Sequence, residues 1–507
     1  MSAKPIMLQG TGSSVGKSLL VTALCRIFAE DGYKVAPFKA QNMALNSYIT
    51  HTGEEMGRAQ VVQAEACGIL PSALMNPILL KPTGEKNSQV ILRGKVHGNM
   101  SAIDYHNFKP SLRSLVRETY QELASQYQLI VLEGAGSPAE INLKEHDLVN
   151  MGMAELCDAP VLLIGDIDRG GVFASLYGTV MLLPEEERRR IKGIIINKFR
   201  GDREILQHGI KMLEDLIGLP VVGVIPYISL NIDDEDSVSD EFARTHNGRG
   251  EISIEILHLP HISNFTDFKV LRNFPDVSLR YINPGERIGE PDLLILPGSK
   301  NTMADLQYLR EQGLDKQISQ LNAQGKLILG ICGGYQMLGS ELHDPYASEG
   351  DIPSLPGLGL LDMSTVFAKE KITTQAKAII EVNKSLYFQG LAGELLDGYE
   401  IHMGISTTGS LCQPLVTIFT RLGNPVQALD GVTNQQGNVW GTYLHGIFDN
   451  TRFTRRFLDN IRIEKGLEPI STVPQSSLEY KEQEYERLAE HVRKNLDMPW
   501  LYSLLNY

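Results

Sequence analysis

Short, nearly unbroken apolar runs recur along the chain, most of them closed by Gly, Pro, Asn or an acidic residue. They fall at 5–9, 32–38, 129–133, 159–165, 193–198 and 221–226, then at 252–258, 293–298, 327–331 and 439–445. Runs of this length without polar alternation read as strands buried on both faces. Stretches with helical spacing lie between them, the clearest at 19–30. Strands alternating with helices predict parallel, doubly wound α/β sheets whose ligands gather at the carboxyl ends of the strands. The pattern lapses at 231–250, an acidic stretch with no sustained apolar period, and resumes afterwards. The expected organisation is therefore a first α/β domain at 1–230, a linker at 231–250, a second α/β domain at 251–455 and a charged, helical extension at 456–507.

Composition narrows the field. A chain of 507 residues with 42% hydrophobic and 21% charged residues is ordinary for a soluble protein of two or three domains. The net charge of -14 argues against a nucleic-acid partner. No apolar run approaches the ~18 residues of a membrane span. Five scattered cysteines, Cys25, Cys67, Cys157, Cys332 and Cys412, show no Cys-x-x-Cys spacing. That suggests a reducing, cytoplasmic setting without structural zinc. The N-terminus runs straight into a strand and offers no signal peptide.

Chemistry enters at two places. After the first strand come Gly10, Thr11, Gly12, Ser13, Ser14, Val15, Gly16, Lys17 and Ser18, then the helix at 19–30. Strand, glycine-rich loop and helix make a phosphate cradle: backbone amides wrap the anion, Lys17 adds a charge, and the Ser18 hydroxyl suits Mg²⁺. The loop is one residue longer than the usual spacing, because Thr11 stands where the first glycine is expected. The strand at 129–133 ends in Glu133, followed by Gly134-Ala-Gly136. A carboxylate there is a natural Mg²⁺ ligand, direct or through water. Asp147 falls over the same edge, as a candidate contact for substrate, metal or intermediate, or as part of a solvated helix face. The strand at 159–165 leads into Asp166-Ile-Asp-Arg-Gly-Gly171, and the next ends in Asn197-Lys198.

The second place is Gly330-Ile-Cys-Gly-Gly-Tyr-Gln336. A residue at a sharp strand-to-helix bend projects from the sheet edge, and the helix amides favour a thiolate. A lone cysteine after a core strand is ordinarily a buried thiol, but these surroundings point to a nucleophile. A thiolate also needs a base, and His445 ends the apolar run at 439–445. Gly298 (or Ser299) and Gly333 are the expected amide donors to an oxyanion. Gln336, one helical turn beyond Cys332, is the expected holder of glutamine.

These strings carry resemblances. Gly-Ile-Cys-Gly-Gly-Tyr-Gln and Gly-Thr-Tyr-Leu-His-Gly446 resemble class I glutamine amidotransferases. That pattern has a glutamate two residues after the histidine, where this chain has Ile447, so either another carboxylate serves or the site is a Cys–His dyad; Glu400 is one candidate. The long phosphate loop and Glu133-Gly-Ala-Gly resemble the dethiobiotin synthetase group, in which an asparagine like Asn197 reads adenine. Phe38-Lys-Ala-Gln-Asn-Met-Ala-Leu-Asn-Ser47, Leu80-Lys-Pro82 and Asp166-Ile-Asp-Arg-Gly-Gly171 resemble the cobyric acid synthase family, as does nearly the full length. The resemblance implies a P-loop, dethiobiotin synthetase-like domain followed by a flavodoxin-like glutaminase. It implies ATP and Mg²⁺ as cofactors, with Asn42, Glu55 and Asp166 near a corrinoid polycarboxylate. The implied reaction is amidation of carboxylates b, d, e and g of adenosylcobyrinic acid a,c-diamide in cobalamin biosynthesis. A ParA-type ATPase would need a second lysine early in the loop, where Gly12-Ser-Ser14 has none. A cell-wall lipid amidase would share the Cys–His pair, but its partner would resemble a Mur ligase. A scaffold without glutaminase activity fits poorly with Cys332, Gln336 and His445 together.

Overall fold

The computed structural model describes residues 3–84, 87–232, 242, 250–350, 352–381, 384–470, 472 and 475–506. Of the expected linker, only 231, 232, 242 and 250 are among them.

The first half is built on a six-stranded parallel sheet. Its order is Val221–Pro226, Ile191–Phe199, Val161–Asp166, Lys4–Gly10, Leu129–Glu133 and Val35–Phe38. Each strand matches an apolar run, and almost every residue in the central ones is buried, as a sheet covered on both faces requires. Leu8 pairs with Glu133, so the phosphate loop and that carboxylate leave the sheet at one edge. The helix Lys17–Glu30 starts from Gly16 and buries Leu20, Leu24, Ile27 and Phe28 against the sheet, at the spacing of one helical face. Between Val35–Phe38 and Leu129–Glu133 the chain adds a four-stranded sheet that the apolar pattern did not foretell: Gln41–Met43, Ile78–Pro82, Asn87–Leu92 and Lys95–Ser101. A small hairpin, Ser47–Ile49 with Glu55–Gly57, stands beside it.

The second half has a parallel core in the order Val277–Ile282, Ile252–Leu257, Leu293–Leu296, Leu327–Ile331 and Val439–Thr442. The sheet then continues antiparallel through Asn424–Thr433, Gln413–Arg421 and the 18-residue strand Met363–Ile380, against which Leu395–Thr408 also pairs. With Glu341–His343 and Ser354–Pro356 beyond Met363–Ile380, one sheet of 11 strands results among the described residues.

The C-terminal region does not form a unit of its own. The expected boundary at 455 falls inside the helix Thr451–Glu464, whose Phe453, Phe457, Leu458 and Ile461 belong to the core of the second half. The next helix, Ser477–Asn495, opens on a capping box formed by Ser476 and Glu479. Its Tyr485, Leu488 and Val492, with Leu501 beyond, share a core with Leu24 and Phe28 of the phosphate-loop helix. Asp497 N donates to Val222 O at 2.8 Å, tying the end of the chain to the edge strand of the first sheet. Helical periodicity showed that these segments were amphipathic; it carried no sign of which half would cover them. Among the described residues no helix is long and apolar enough to cross a membrane.

Leu488 is 2% exposed. Truncating a buried leucine costs about 2–5 kcal/mol through lost transfer energy and a residual cavity. We expect Leu488→Ala to weaken the first half, read as faster hydrogen exchange in Lys4–Gly10, while exchange in Leu327–Ile331 stays unchanged.

Candidate active sites

The phosphate loop is held from beneath. Thr11 N donates to Ile164 O at 2.9 Å on the neighbouring strand. Asn197 Nδ2 donates to Val15 O at 2.9 Å and Lys198 Nζ to Ser14 O at 2.6 Å. Gly16 takes φ 94°, and a side chain there would collide with the Asn197 amide, so the residue before Lys17 must be glycine for both reasons. Lys17 is buried and donates to Gly12 O at 2.8 Å and Gly136 O at 3.3 Å, which places its ammonium between the loop and the turn after Glu133.

Glu133 is the hub of this edge. Its Oε1 accepts from Ser18 Oγ and Lys39 Nζ, both at 2.8 Å, and its Oε2 from Gln63 Nε2 at 2.6 Å. Burial pushes its pKa upward. The Lys39 charge and the three hydrogen bonds outweigh that and hold the carboxyl below the usual carboxylate range. Lys39 and Gln63 are functional-site neighbours that motif reading did not single out.

The other expected residues are distributed as follows. Asp166 pairs with Lys198 at 3.0 Å and accepts from Asp168 N at 2.9 Å, at the rim of the phosphate loop. Asp147 accepts from the amides of Val149, Asn150 and Gly152 at 2.8–2.9 Å, so its carboxylate organises the entry to the helix Met151–Cys157. Asn42 is buried and donates to Gln60 Oε1 at 3.0 Å. Glu55 is buried against Lys81 at 2.9 Å and against Lys371 of the second half at 2.6 Å. Asn197 and Lys198 border a pocket with Leu19, Pro226, Tyr227 and Leu488.

In the second half Cys332 follows directly on Leu327–Ile331 and adopts φ 51°, ψ -109°. An L-residue is strained there. The bend is possible because the helix after it packs against the next strand: a side chain on Gly334 would collide with the Leu296 carbonyl. The Cys332 amide donates to Thr442 O at 2.9 Å, and its thiol to Ile401 O at 3.6 Å. Gly333 opens the helix Gly333–Leu338, and a Cβ on it would stand 2.8 Å from Ser299 N. The two expected oxyanion donors thus come from adjacent turns. Gln336 is buried between Thr302, which donates to its Oε1 at 3.1 Å, and the Tyr443 hydroxyl at 3.3 Å from its Nε2.

The strand expected to end at His445 stops at Thr442. His445 sits just beyond, held by reciprocal backbone bonds with Tyr399 at 2.9 and 3.2 Å. The tyrosine ring stacks on its imidazole with centroids 5.2 Å apart. Nδ1 lies 2.6 Å from Asp267 Oδ2, which fixes the tautomer, and the buried Nε2 has no conventional partner and is left to face Cys332. Burial lowers the His445 pKa; the Asp267 carboxylate and the Cys332 thiol reverse this and push it up to about 10.

Asp267 is therefore the carboxylate that the residue after next to His445 does not supply. It lies at the carboxyl edge of the sheet, in the turn of 3₁₀ helix Phe265–Asn273. Glu400, the sequence candidate, is turned away: Arg421 holds it through two bonds of 2.7 and 2.8 Å, with His402 at 3.5 Å. A polar turn shortly after the strand Ile252–Leu257 was the available clue, since ligand-handling residues cluster at that edge.

A parallel sheet carrying a thiol at a strand–helix bend beside a carboxylate-held imidazole has the layout of a thiol-dependent glutamine amidotransferase, and residues 253–453 match the family profile of the CobB/CobQ-like glutamine amidotransferase domain. Residues 6–237 match the CobQ/CobB/MinD/ParA nucleotide binding domain. The chain is 54% identical over 503 residues to a cobyric acid synthase from Thermoanaerobacter sp., covering 99% of both. It is 55% identical over 499 residues to one from Alkaliphilus metalliredigens, covering 98% of this chain and 99% of that one. A third, from Caldanaerobacter subterraneus subsp. tengcongensis, is 55% identical over 99% of each chain. This chain belongs to the cobyric acid synthase family.

Asp267→Asn keeps shape and removes charge. Without the carboxylate, less remains to offset burial and the charged imidazole is disfavoured. The Cys332 sulfur then loses a cationic neighbour, so its alkylation by iodoacetamide should move to higher pH than in the parent chain. Glutamine hydrolysis should fall by about 10²–10⁴, as when the carboxylate of a comparable triad is neutralised. An unmoved alkylation profile would detach Asp267 from His445.

Proposed function

We propose that this chain amidates peripheral carboxylates of a corrinoid, those designated b, d, e and g of adenosylcobyrinic acid a,c-diamide, using ATP and ammonia drawn from glutamine. The observation that carries the reading is the presence, in one chain matched end to end by cobyric acid synthases, of a phosphate loop facing Glu133 and a thiol flanked by a carboxylate-held imidazole. The reading places the enzyme in the cytoplasm, where ATP and glutamine are at hand.

A carboxylate is a poor electrophile. Transfer of the γ-phosphoryl group to a substrate oxygen turns it into an acyl phosphate with phosphate as leaving group. Lys17 and the loop amides from Gly12 to Ser18 stabilise the charge that grows on the transferring oxygens. Ser18 and Glu133 fit a Mg²⁺ ion of the kind bound by one carboxylate, a hydroxyl, phosphate oxygens and water, because Ser18 Oγ already lies 2.8 Å from Glu133 Oε1. Lys39 bonds the same Glu133 oxygen, so Ser18 and Glu133 would hold the ion with Lys39 beside them. When bound, Mg²⁺ neutralises charge on the β- and γ-phosphates. The pocket beside Asn197 and Lys198, walled by Leu19 and Pro226, suits the adenine.

At the second site the Cys332 thiolate attacks the amide carbon of glutamine. The amides of Gly333 and of Gly298 or Ser299 receive the oxyanion, and Gln336 helps to seat the amino acid. His445, as imidazolium, gives its proton to the departing ammonia, leaving a thioester. Water, deprotonated by the now neutral His445, hydrolyses the thioester to glutamate and restores the thiolate. Ammonia attacks the acyl phosphate, phosphate leaves, and the amide forms.

The two sites should fail separately. Cys332→Ser should lose glutamine-dependent synthesis by about 10³-fold or more, yet make amide from concentrated ammonium at alkaline pH while consuming ATP. Lys17→Ala should make none from either donor. Product assays with both donors on both variants check this; full glutamine-dependent synthesis by Cys332→Ser would remove the thiol from the mechanism.

A further inference from the structure

His445 belongs to the second half, but the side chains and backbone that hold it trace back to the first. Two separate connections start from consecutive residues there. Phe265 N donates to Asn46 Oδ1 at 3.1 Å, and Ser47 N donates to Asn264 Oδ1 at 3.0 Å. Both bonds are buried, and together they clamp residues 264 and 265 from the other half. Asn264 is the residue before the 3₁₀ helix and sits at φ 52°, ψ 37°, a conformation an L-residue holds only with support. Its carbonyl accepts from Asp267 N at 3.0 Å. The clamp therefore fixes the turn from which Asp267 reaches His445 Nδ1 at 2.6 Å.

The second connection is aromatic. Tyr48, next in the chain, packs its ring against Tyr399 with centroids 5.6 Å apart. Tyr399 stacks on the His445 imidazole at 5.2 Å, nearly parallel at 15°. Ile49, Tyr399 and Ile401 form a small buried cluster across the junction, and the Ile401 carbonyl is the acceptor for the Cys332 thiol. One connection sets the edge of the imidazole and the other sets its face.

We infer that Asn46 and Tyr48, in the nucleotide-binding half, are positioning residues of the glutaminase, and that the thiol site is complete only when the Asn46–Tyr48 segment is docked against it. The inference rests on the proposed amidotransferase reading. It extends that reading because the same segment bonds into the junction: Ser47 Oγ donates to Glu55 at 2.9 Å, and Glu55 pairs with Lys371 of the second half at 2.6 Å.

The test uses the full chain and measures glutamate release from glutamine alongside amide synthesis from ammonium. Asn46→Ala removes the acceptor for Phe265 N; Tyr48→Leu removes the ring contact; Tyr48→Phe keeps it. Displacing a catalytic group by a fraction of an ångström to 1 Å costs up to about 10²-fold. Asn46→Ala and Tyr48→Leu should each lower kcat for glutamine hydrolysis by about 10- to 100-fold, with KM within about twofold and ammonium-driven synthesis retained. Tyr48→Phe should keep the parent kcat. Alkylation of Cys332 in Asn46→Ala should move to higher pH, as expected of a displaced Asp267. If Asn46→Ala does not fold, Tyr48→Leu carries the test, since it opens no hydrogen bond. Parent kcat in both variants would overturn the inference, and so would equal losses with glutamine and ammonium, which would assign the segment to the synthetase alone. Absence of glutamine hydrolysis in the parent chain would instead defeat the amidotransferase reading itself.

Discussion

A histidine sealed from water gives up its proton unless a charge keeps it, and His445 is 1% exposed. Asp267, 2.6 Å away, supplies that charge. With it the imidazole stays protonated well above neutrality, beside the Cys332 sulfur. On the proposed mechanism, the proton that ammonia needs on leaving is thus in place before glutamine is attacked. Much of the second half serves this one pair. The strained bend at Cys332 brings the sulfur to the sheet edge, Asp430 fixes the Tyr443 amide at 3.0 Å on the way to His445, and Tyr399 covers the ring. The same bookkeeping of burial against charge governs Glu133 with the sign reversed: there a carboxylate is kept ionised by Lys39. In each half a buried ionised group is kept charged by a neighbour of opposite sign, Asp267 for His445 and Lys39 for Glu133.

Chemistry that depends on local geometry was legible in the sequence. The phosphate loop, Glu133 at its strand end and Cys332 at its bend each need only a strand, a turn and a helix start in succession, and those leave their mark in adjacent residues. The strands at 129–133, 221–226 and 327–331 lie where the apolar runs put them. Asp267 was not legible as a partner, because it meets His445 across 178 positions, and nothing in a polar turn records which strand will lie opposite. The antiparallel extension from Met363 to Thr433 escaped for another reason. Its strands are half exposed and rich in Thr, Ser and Lys, so they lack the unbroken apolar runs of the parallel core. The return of Ser477–Asn495 to the first half is likewise a tertiary choice between two apolar faces that local periodicity does not distinguish.

The junction between the halves carries more than apolar contact. Glu55 is buried with Lys81 from its own half and Lys371 from the other, and the two ammonium groups outweigh the upward push of burial and hold its carboxyl far below the ordinary range. Burial draws Lys371 down to about 8, with Glu55 opposing the fall. Lys300, two residues past Gly298, is buried within reach of the same carboxylate and of Cys332, and its pKa is lowered by burial. A carboxylate shared between halves in this way makes separation costly in a particular manner. Pulling the halves apart would strip Glu55 of one cation and leave it facing Lys81 alone, while Lys371 regained water. Apolar interfaces slide with little penalty, whereas a buried charge has few arrangements that satisfy it. The junction therefore has a defined register. The segment that runs from Lys39 at Glu133 to Tyr48 at Tyr399 is locked into that register by Ser47, which bonds both Glu55 and Lys81. On the inference drawn above, a thiol site that takes its carboxylate, Asp267, from a turn clamped by that segment inherits the register with it. A glutamate two residues after the histidine would have left the histidine independent of the other half; Ile447, buried at that position, does not.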